Sequence, residues 1–467
     1  MQKKLEAWIQ AHTEEMLADT MALMEINSEK MEAKPGMPYG EGCAAVLAKA
    51  TEIVENRGFA VKNFDNYVIT ADMNDAPACL DILAHLDVVP AGKGWSVTEP
   101  FVPVIQDGKL YGRGSADDKG PAMAALYAMR AVKELGVELK GNCRLILGSD
   151  EECGSSDIRY YYGKENPAPM TFSPDADFPL INIEKGGLFM PFTAQVEPQT
   201  EGVRLVSITA GTKVNMVPGE AFAVIAGAEM DQLQALLDET AAKTGTTASL
   251  EEMAEGVQVK FVGAFAHGSL PENGNNALTA LLAFLAAVDY TDAKVDALVK
   301  NLGRLFPHGD YHGAALGVNH EDEESGKLTL SFDILNFDGK TISGVFDCRA
   351  CISANKENTQ DVVFARLTEA GFTPDERSSM REPHVVPADS PFVQTLLSCY
   401  EEVTGRKEKP LAIGGGTYVH HLDNGVAFGC ADPAVDNRMH GADEFAVIEQ
   451  LQKSVVIFAL AILKLCQ

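Results

Sequence analysis

Five segments of this 467-residue chain share one construction, an apolar, strand-like approach that ends in His, Asp or Glu. The first, Cys79–Pro90, carries His85-Leu86-Asp87 at its end. Side chains alternate faces along a strand, so His85 and Asp87 are expected to project the same way. A neutral imidazole that binds a metal usually donates its other N–H to a carboxylate, and a His-x-Asp pair can supply both partners. The second exit is glycine-rich: Gly112, Gly114 and Gly120 surround Asp117-Asp118, just ahead of an amphipathic helix opened by Pro121 and closed by Gly136. The third, Cys143–Ser149, stops in Asp150-Glu151-Glu152; the fourth, Met170–Ser173, stops in Pro174-Asp175. The fifth, Gly425–Cys430, leads to a loop with His440, followed by Asp443-Glu444. One acidic loop is ordinary solvated surface. A succession of such exits points to an open α/β sheet, whose sites form at the carboxyl ends of its strands.

The order of elements agrees. Residues 1–60 give two helical stretches around a turn-rich EAKPGMPYGEG, and residues 60–187 alternate strand and helix, the pattern of a mainly parallel sheet covered on both faces. After Lys185-Gly186-Gly187 the strands alternate more strictly, with helices expected at 230–243, 276–303 and 358–371. The α/β pattern then returns, with a helix from Ser390 to Thr404, a glycine turn at 414–416 and a buried C-terminal helix. Ligand-type residues lie on both sides of the middle region. The expectation is therefore a discontinuous α/β domain, 1–187 plus 386–467, interrupted by an inserted α+β domain, 188–385.

A net charge of −29 argues against nucleic acid as a partner. The N-terminal segment is charged throughout and does not resemble an export signal; the apolar run Val455–Leu463 is too short to span a bilayer. The nine cysteines are odd in number and mostly within apolar elements, the usage of a reducing compartment, so a cytoplasmic protein is expected. Cys348-x-x-Cys351 has no second pair and reads as structural.

His-x-Asp at 85–87, Gly-Arg-Gly-x-x-Asp-Asp-Lys-Gly at 112–120, Glu151-Glu152, Asp175 and His440 together resemble the M20 family of di-metal peptidases, and within it the bacterial dipeptidases of the PepV and carnosinase-like branch. The resemblance spans nearly the whole chain. It implies a di-metal catalytic domain carrying an inserted lid domain. Peptide hydrolysis needs a stronger nucleophile than water and a stronger electrophile than an amide. Two divalent ions roughly 3.5–4 Å apart supply both. By resemblance Asp117 bridges them, His85 and Asp175 hold one ion, and Glu152 and His440 hold the other. Asp87 orients His85, and Glu151 is the general base. The Asp117-Asp118 pair leaves the bridge open by one position; Asp117 fits the family's Asp-x-Lys-Gly pattern. In the lid, His267 corresponds to a donor to the developing oxyanion, Asn215 to a substrate contact, and Arg349 to the group that binds the substrate carboxylate, with backbone N–H groups of Gly414, Gly415, Gly416 and Thr417 turned to the same anion. His308, His312, His320, His420 and His421 match no ligand position.

The implied reaction is hydrolysis of dipeptides with free amino and carboxyl ends, with Zn²⁺, Mn²⁺ or Co²⁺ as the metals. Val419-His420 stands where this branch often has Ala-Arg, which leaves substrate preference open. The alternatives are an N-acyl amino-acid deacylase, desuccinylase or carboxypeptidase of the same family, and a catalytically dead metal-binding relative. Neither a nucleic acid nor a membrane is expected as a partner. The long insert favours a monomer over a dimer, since shorter-lid relatives typically complete the site by dimerising.

Overall fold

The strand Ala78–His85 is bonded in parallel to Asn142–Gly148 on one side and to Met170–Ser173 on the other, and Met170–Ser173 pairs in parallel with Gly425–Ala427. These four strands form the centre of a nine-stranded sheet in a computed structural model that describes all 467 residues. Toward one edge Val61–Phe64 and Val68–Asp72 run antiparallel, and on the other side of the centre Ile181–Glu184 runs antiparallel to Gly425–Ala427. The expected parallel sheet is thus a parallel centre with antiparallel flanks. Register places His85 beside Gly148 and Ser173 beside Ala427, so the acidic segments leave the sheet from neighbouring carboxyl ends.

The chain separates into two compact units. Unit 1 comprises Met1–Ile183, His384–Leu411 and Gly416–Gln467; unit 2 comprises Glu184–Pro383 and Ala412–Gly415. The junctions fall a few residues from the expected ones, and part of the glycine turn goes with unit 2.

Alternation along the central strand explains both faces of the unit 1 sheet. Leu80, Ile82, Ala84 and Leu86 join the large core, where the helices Gln2–Met24, Lys119–Glu134 and Ile448–Cys466 pack together. Alanines at 122, 124, 125, 128 and 131 have no exposed surface and allow close helix approach, while Phe458 and Ile462 fill the last helix's buried face. Burying such a Phe or Ile side chain contributes roughly 1.5–3 kcal/mol. No helix is long and apolar enough to cross a membrane.

On the opposite face stand Asp81, Leu83 and His85. Leu83 joins a smaller cluster with Val68, Ile146, Ile158, Tyr161 and Tyr418. Buried Asp81 takes two hydrogen bonds from Arg144, both 2.8 Å, and one from the Ala168 N–H. This thinner face is where the sheet leaves room for a site.

Unit 2 is built on its own nine-stranded sheet with antiparallel neighbours. The helix expected over 276–303 is two helices, Ala277–Leu285 and Ala293–Leu305. Asn276 caps the first through the N–H groups of Leu278 and Thr279. Asp292 caps the second by accepting from Lys294 and Val295, so an aspartate inside an apolar-periodic run marks a new start. Phe306 stacks on Phe332 with ring centroids 4.2 Å apart in the core. Cys348 and Cys351 are buried free thiols in this unit.

Candidate metal centre

The thin face of unit 1 gathers the ligand-type residues from all five strand exits. Asp117 stands between two histidines: its Oδ1 is 3.0 Å from His85 Nε2 and its Oδ2 is 2.8 Å from His440 Nε2. Asp175 Oδ2 lies 3.6 Å from His85 Nε2, and Glu152 Oε1 lies 3.4 Å from His440 Nε2. Two triads share one carboxylate: His85, Asp117 and Asp175, and Asp117, Glu152 and His440. His85 Nε2 and Glu152 Oε1 are buried without a hydrogen-bond partner. Buried polar atoms are normally satisfied, and each triad holds one of these two, which fits a pair of cations held by imidazole and carboxylate.

The electrostatics fit as well. Burial depresses the basicity of His85, yet Asp117, Asp175 and Asp87 outweigh it and raise its pKa well above the usual imidazole value. Asp117 and Glu152 lift His440 to about 11. Withdrawal from water, reinforced by Asp117, pushes Glu152 up to about 7. Glu151 is also raised, by desolvation first; His85 pulls it down while Asp175, Glu152 and Asp87 push it further up. Burial and the neighbouring carboxylates favour the protonated forms of Glu151 and Glu152 even beside the two histidines, and bound divalent ions would invert that preference.

Adjacent Asp118 does a different job. The Asp117–Asp118 peptide is cis, and while Asp117 faces the histidines, Asp118 Oδ2 accepts the His85 N–H at 3.0 Å. Asp87 meets the same imidazole at its other nitrogen. His85 Nδ1 is 3.0 Å from the Asp87 backbone oxygen, with the Asp87 carboxylate at 3.5 Å. That carboxylate also accepts the N–H groups of Glu151 and Glu152, at 3.2 and 3.1 Å.

Further residues that sequence reasoning did not single out hold the same loops. Glu444, fully buried, accepts from Arg113 Nη1 at 2.6 Å and from the N–H groups of Ala116 and Asp117 at 2.9 and 3.2 Å. Asp157 Oδ2 accepts from Ser149 N, Asp150 N and Tyr418 Oη. Gly148 makes room for this: a Cβ there would lie 2.2 Å from Tyr418 Oη and 2.5 Å from Asp157 Oδ2. Buried Asp150 pairs with Lys30 at 2.6 Å. One signal was legible: Glu444 lies four residues after His440, and acids that recur beside ligands are candidates for backbone support.

The chain matches the description Peptidase family M20/M25/M40 over residues 82–464. It belongs to that family. The Bacillus subtilis (strain 168) protein YtjP is 35% identical over 463 residues, covering 97% of this chain and 98% of the relative. The Beta-Ala-Xaa dipeptidase of Lactobacillus delbrueckii subsp. lactis is 32% identical over 461 residues, covering 98% and 97%. Among solved structures, human carnosine dipeptidase 1 superposes with a TM-score of 0.61 at 16% identity, over 100% of this chain and 99% of that one, a likeness of fold. This M20 peptidase is a hydrolase.

Unit 2 of the M20 chain brings together three of the residues read as lid contacts. His267 pairs across two short strands with Met216, beside Asn215, and the Asn215 carbonyl accepts the Gly268 N–H at 2.7 Å. Asn215 has φ +89°, with its own N–H on Asp333 Oδ2 at 3.0 Å. The Ser269 N–H donates to His267 Nδ1 at 3.2 Å, which assigns the neutral imidazole's proton to Nε2. Arg349 donates from Nε and Nη2 to both oxygens of Asp347, and from Nη1 to the Gly414 carbonyl at 2.8 Å. Gly415 belongs to unit 2, Gly416 and Thr417 to unit 1. Thr417 caps the turn Tyr418–His421, its side chain accepting from Val419 N.

Proposed function

We propose that this M20 peptidase is a metal-dependent dipeptidase that hydrolyses dipeptides with free amino and carboxyl ends. The observation that carries the metal dependence is the divided carboxylate of Asp117, one oxygen toward His85 and the other toward His440. His85 and Asp175 would hold one divalent ion, Glu152 and His440 the other, with Asp117 between them. Two divalent ions so held would supply a lowered pKa for water and polarisation of the scissile carbonyl. Zn²⁺ is the first choice, with Mn²⁺ and Co²⁺ suited to the same ligands.

Glu151 takes the proton of the attacking water and passes it to the departing amine. Asp87 holds the Glu151-Glu152 turn by two backbone hydrogen bonds, which separates the base from the ligand beside it. His267, with its proton on Nε2, is the donor to the developing oxyanion. Asn215 holds the substrate, and Arg349 with the amides of Gly415, Gly416 and Thr417 binds its carboxylate end. The dipeptide reading draws support from the full-length likeness to the Beta-Ala-Xaa dipeptidase. The nine free thiols, eight of them not exposed, favour the cytoplasm.

The test is hydrolysis of a dipeptide panel by metal-loaded protein, with tripeptides, N-acyl amino acids and N-succinyl substrates as comparisons. Dipeptides should be cleaved fastest, and only with metal. Preferential cleavage of an N-acyl amino acid would move the protein to the deacylase side of its family.

A further inference from the structure

Three cysteines converge where the strands of the unit 1 sheet begin, opposite the carboxyl ends that hold the ligands. Cys79 is the second residue of the strand Ala78–His85, about 20 Å of extended chain from His85. The ladder shifts register there: Ala78 pairs with Asn142 and Leu80 with Cys143, so Cys79 is an extra residue. A bulge of this kind re-aims a side chain. Strict alternation would turn Cys79 to the thin face with Asp81 and Leu83. Instead it packs against the large core, with Sγ 3.4 Å from Asn142 O and 3.8 Å from Leu465 O.

The sulfur therefore lies against the residue that precedes each of the other two cysteines, Cys143 on the neighbouring strand and Cys466 in the last turn of the helix Ile448–Cys466. Gly141 completes the junction. Its N–H and that of Lys140 donate to Cys466 O at 3.0 and 2.9 Å, and a Cβ at 141 would lie 2.4 Å from Cys79 Sγ. Only a glycine there lets the helix end, the strand start and the sulfur meet.

The three thiols are not equivalent. Cys466 neighbours both of the others; Cys143 first, with Cys79 adding to it, lowers the Cys466 pKa against the burial that raises it. Burial and then Cys466 push Cys79 up to about 12 and Cys143 well above the usual thiol value. One sulfur is thus favoured as the thiolate with protonated thiols beside it, the arrangement of a nucleophile and its resolving partner. Cys143 and Cys466 are buried and Cys79 is partly exposed, so solvent reaches the cluster from the Cys79 side.

We propose that this cluster is a peroxide-oxidised modification site, in which Cys466 and Cys79 join in a reversible disulfide that staples the last helix to the strand carrying His85. The Cys466 thiolate attacks one oxygen of hydrogen peroxide; the O–O bond breaks, hydroxide leaves, and the sulfur becomes a sulfenic acid. The Cys79 sulfur then displaces the hydroxyl from Cys466, and its thiol proton leaves with that hydroxide as water. Two thiols and one peroxide give one disulfide and two waters, the electrons lost by sulfur reducing the O–O bond. A small thiol reverses the bridge by exchange. Cys79 closes it because the bulge stands outside the regular ladder, whereas Cys143 is fixed in a strand paired on both sides. The bridge closes a long loop of chain, which restricts the unfolded state strongly.

The experiment treats metal-loaded wild-type protein, Cys79→Ala and Cys143→Ala with hydrogen peroxide and reads intact mass, non-reducing peptide maps and Tm, before and after dithiothreitol. Wild-type protein should lose about 2 Da with the Cys79 and Cys466 peptides joined, and its Tm should rise by about 4 °C or more, both reversed by dithiothreitol. Cys143→Ala should form the same link. In Cys79→Ala the Tm should not rise, and the Cys466 peptide should gain about 16–48 Da as unresolved sulfur acids. A wild-type link from Cys466 to Cys143, a Cys466 thiol that stays unmodified, or a link that leaves Tm unchanged overturns the proposal.

Discussion

Glu151 and Glu152 are neighbours in one turn, yet their surroundings separate them. Glu152 Oε1 points at His440 and has no hydrogen-bond donor, the position of a ligand. Both backbone N–H groups are anchored on Asp87, so neither side chain can readily take over the other's place. Glu151→Gln should keep its metal and lose turnover by about two to four orders of magnitude, the contribution typical of a positioned base. Glu152→Gln should lose metal occupancy. Metal content of the two purified variants, read beside their turnover, decides the assignment, and equal metal loss in both would refute it.

At the scale of elements, the loop before the helix Lys119–Glu134 is held by an acid from the far end of the chain. Glu444 binds Arg113 with one oxygen and the N–H groups of Ala116 and Asp117 with the other. Glutamine at 444 would set its amide donors against N–H groups on one side or a guanidinium on the other. Breaking a buried charge pair in this way costs about 3–5 kcal/mol. Because the freed segment carries Asp117, metal affinity should fall as well, by about 10–100-fold. Urea unfolding and metal titration of Glu444→Gln check the two parts separately. A variant that loses stability but binds metal as before would show that Glu444 supports the fold alone.

For the whole molecule, neither hydrophobic core includes a ligand residue, so removing metal and unfolding the chain are separable events. Chelation should abolish activity and leave the far-UV circular dichroism nearly unchanged, with a lower Tm because a ligand of the native state is gone. Activity that survives chelation would sink the di-metal reading. Stability should also depend on pH through unit 2. Burial pushes Asp333 up to about 8; the Ser331 hydroxyl opposes this and Asp347 adds to it. Between the unfolded value near 4 and that folded value, the native chain keeps a proton that the unfolded chain releases, so stability is lost as pH rises through this window, by at most about 1.4 kcal/mol per pH unit. Asp333→Asn can accept from Asn215 N and donate to Ser331, and it should flatten the decline between about pH 5 and 8. Urea midpoints measured across that range test it. Parallel slopes in the two proteins would place the titrating group elsewhere.

Much of this was legible in the chain. An apolar run that halts at an acid is a local pattern, and it located His85, Asp117, Glu151, Glu152, Asp175 and His440 because strand ends are where an α/β sheet exposes side chains. The α/β and α+β halves were readable from periodicity for the same reason. Other features depended on how the backbone turns after each strand and on which distant segments meet. Asp117 faces both histidines while Asp118 turns to the His85 N–H, a divergence set by the path of one loop and invisible in an Asp-Asp pair. The aspartate that splits the helix in unit 2 acts through capping geometry, which apolar spacing does not record. Asp347 and Arg349 share a face by spacing alone, whereas Cys79 meets the last helix only through a bulge in its strand. Local pattern therefore determined which residues are candidates for the chemistry. Tertiary structure decided which of their charges are already neutralised, because compensation depends on neighbours that lie far apart in the chain.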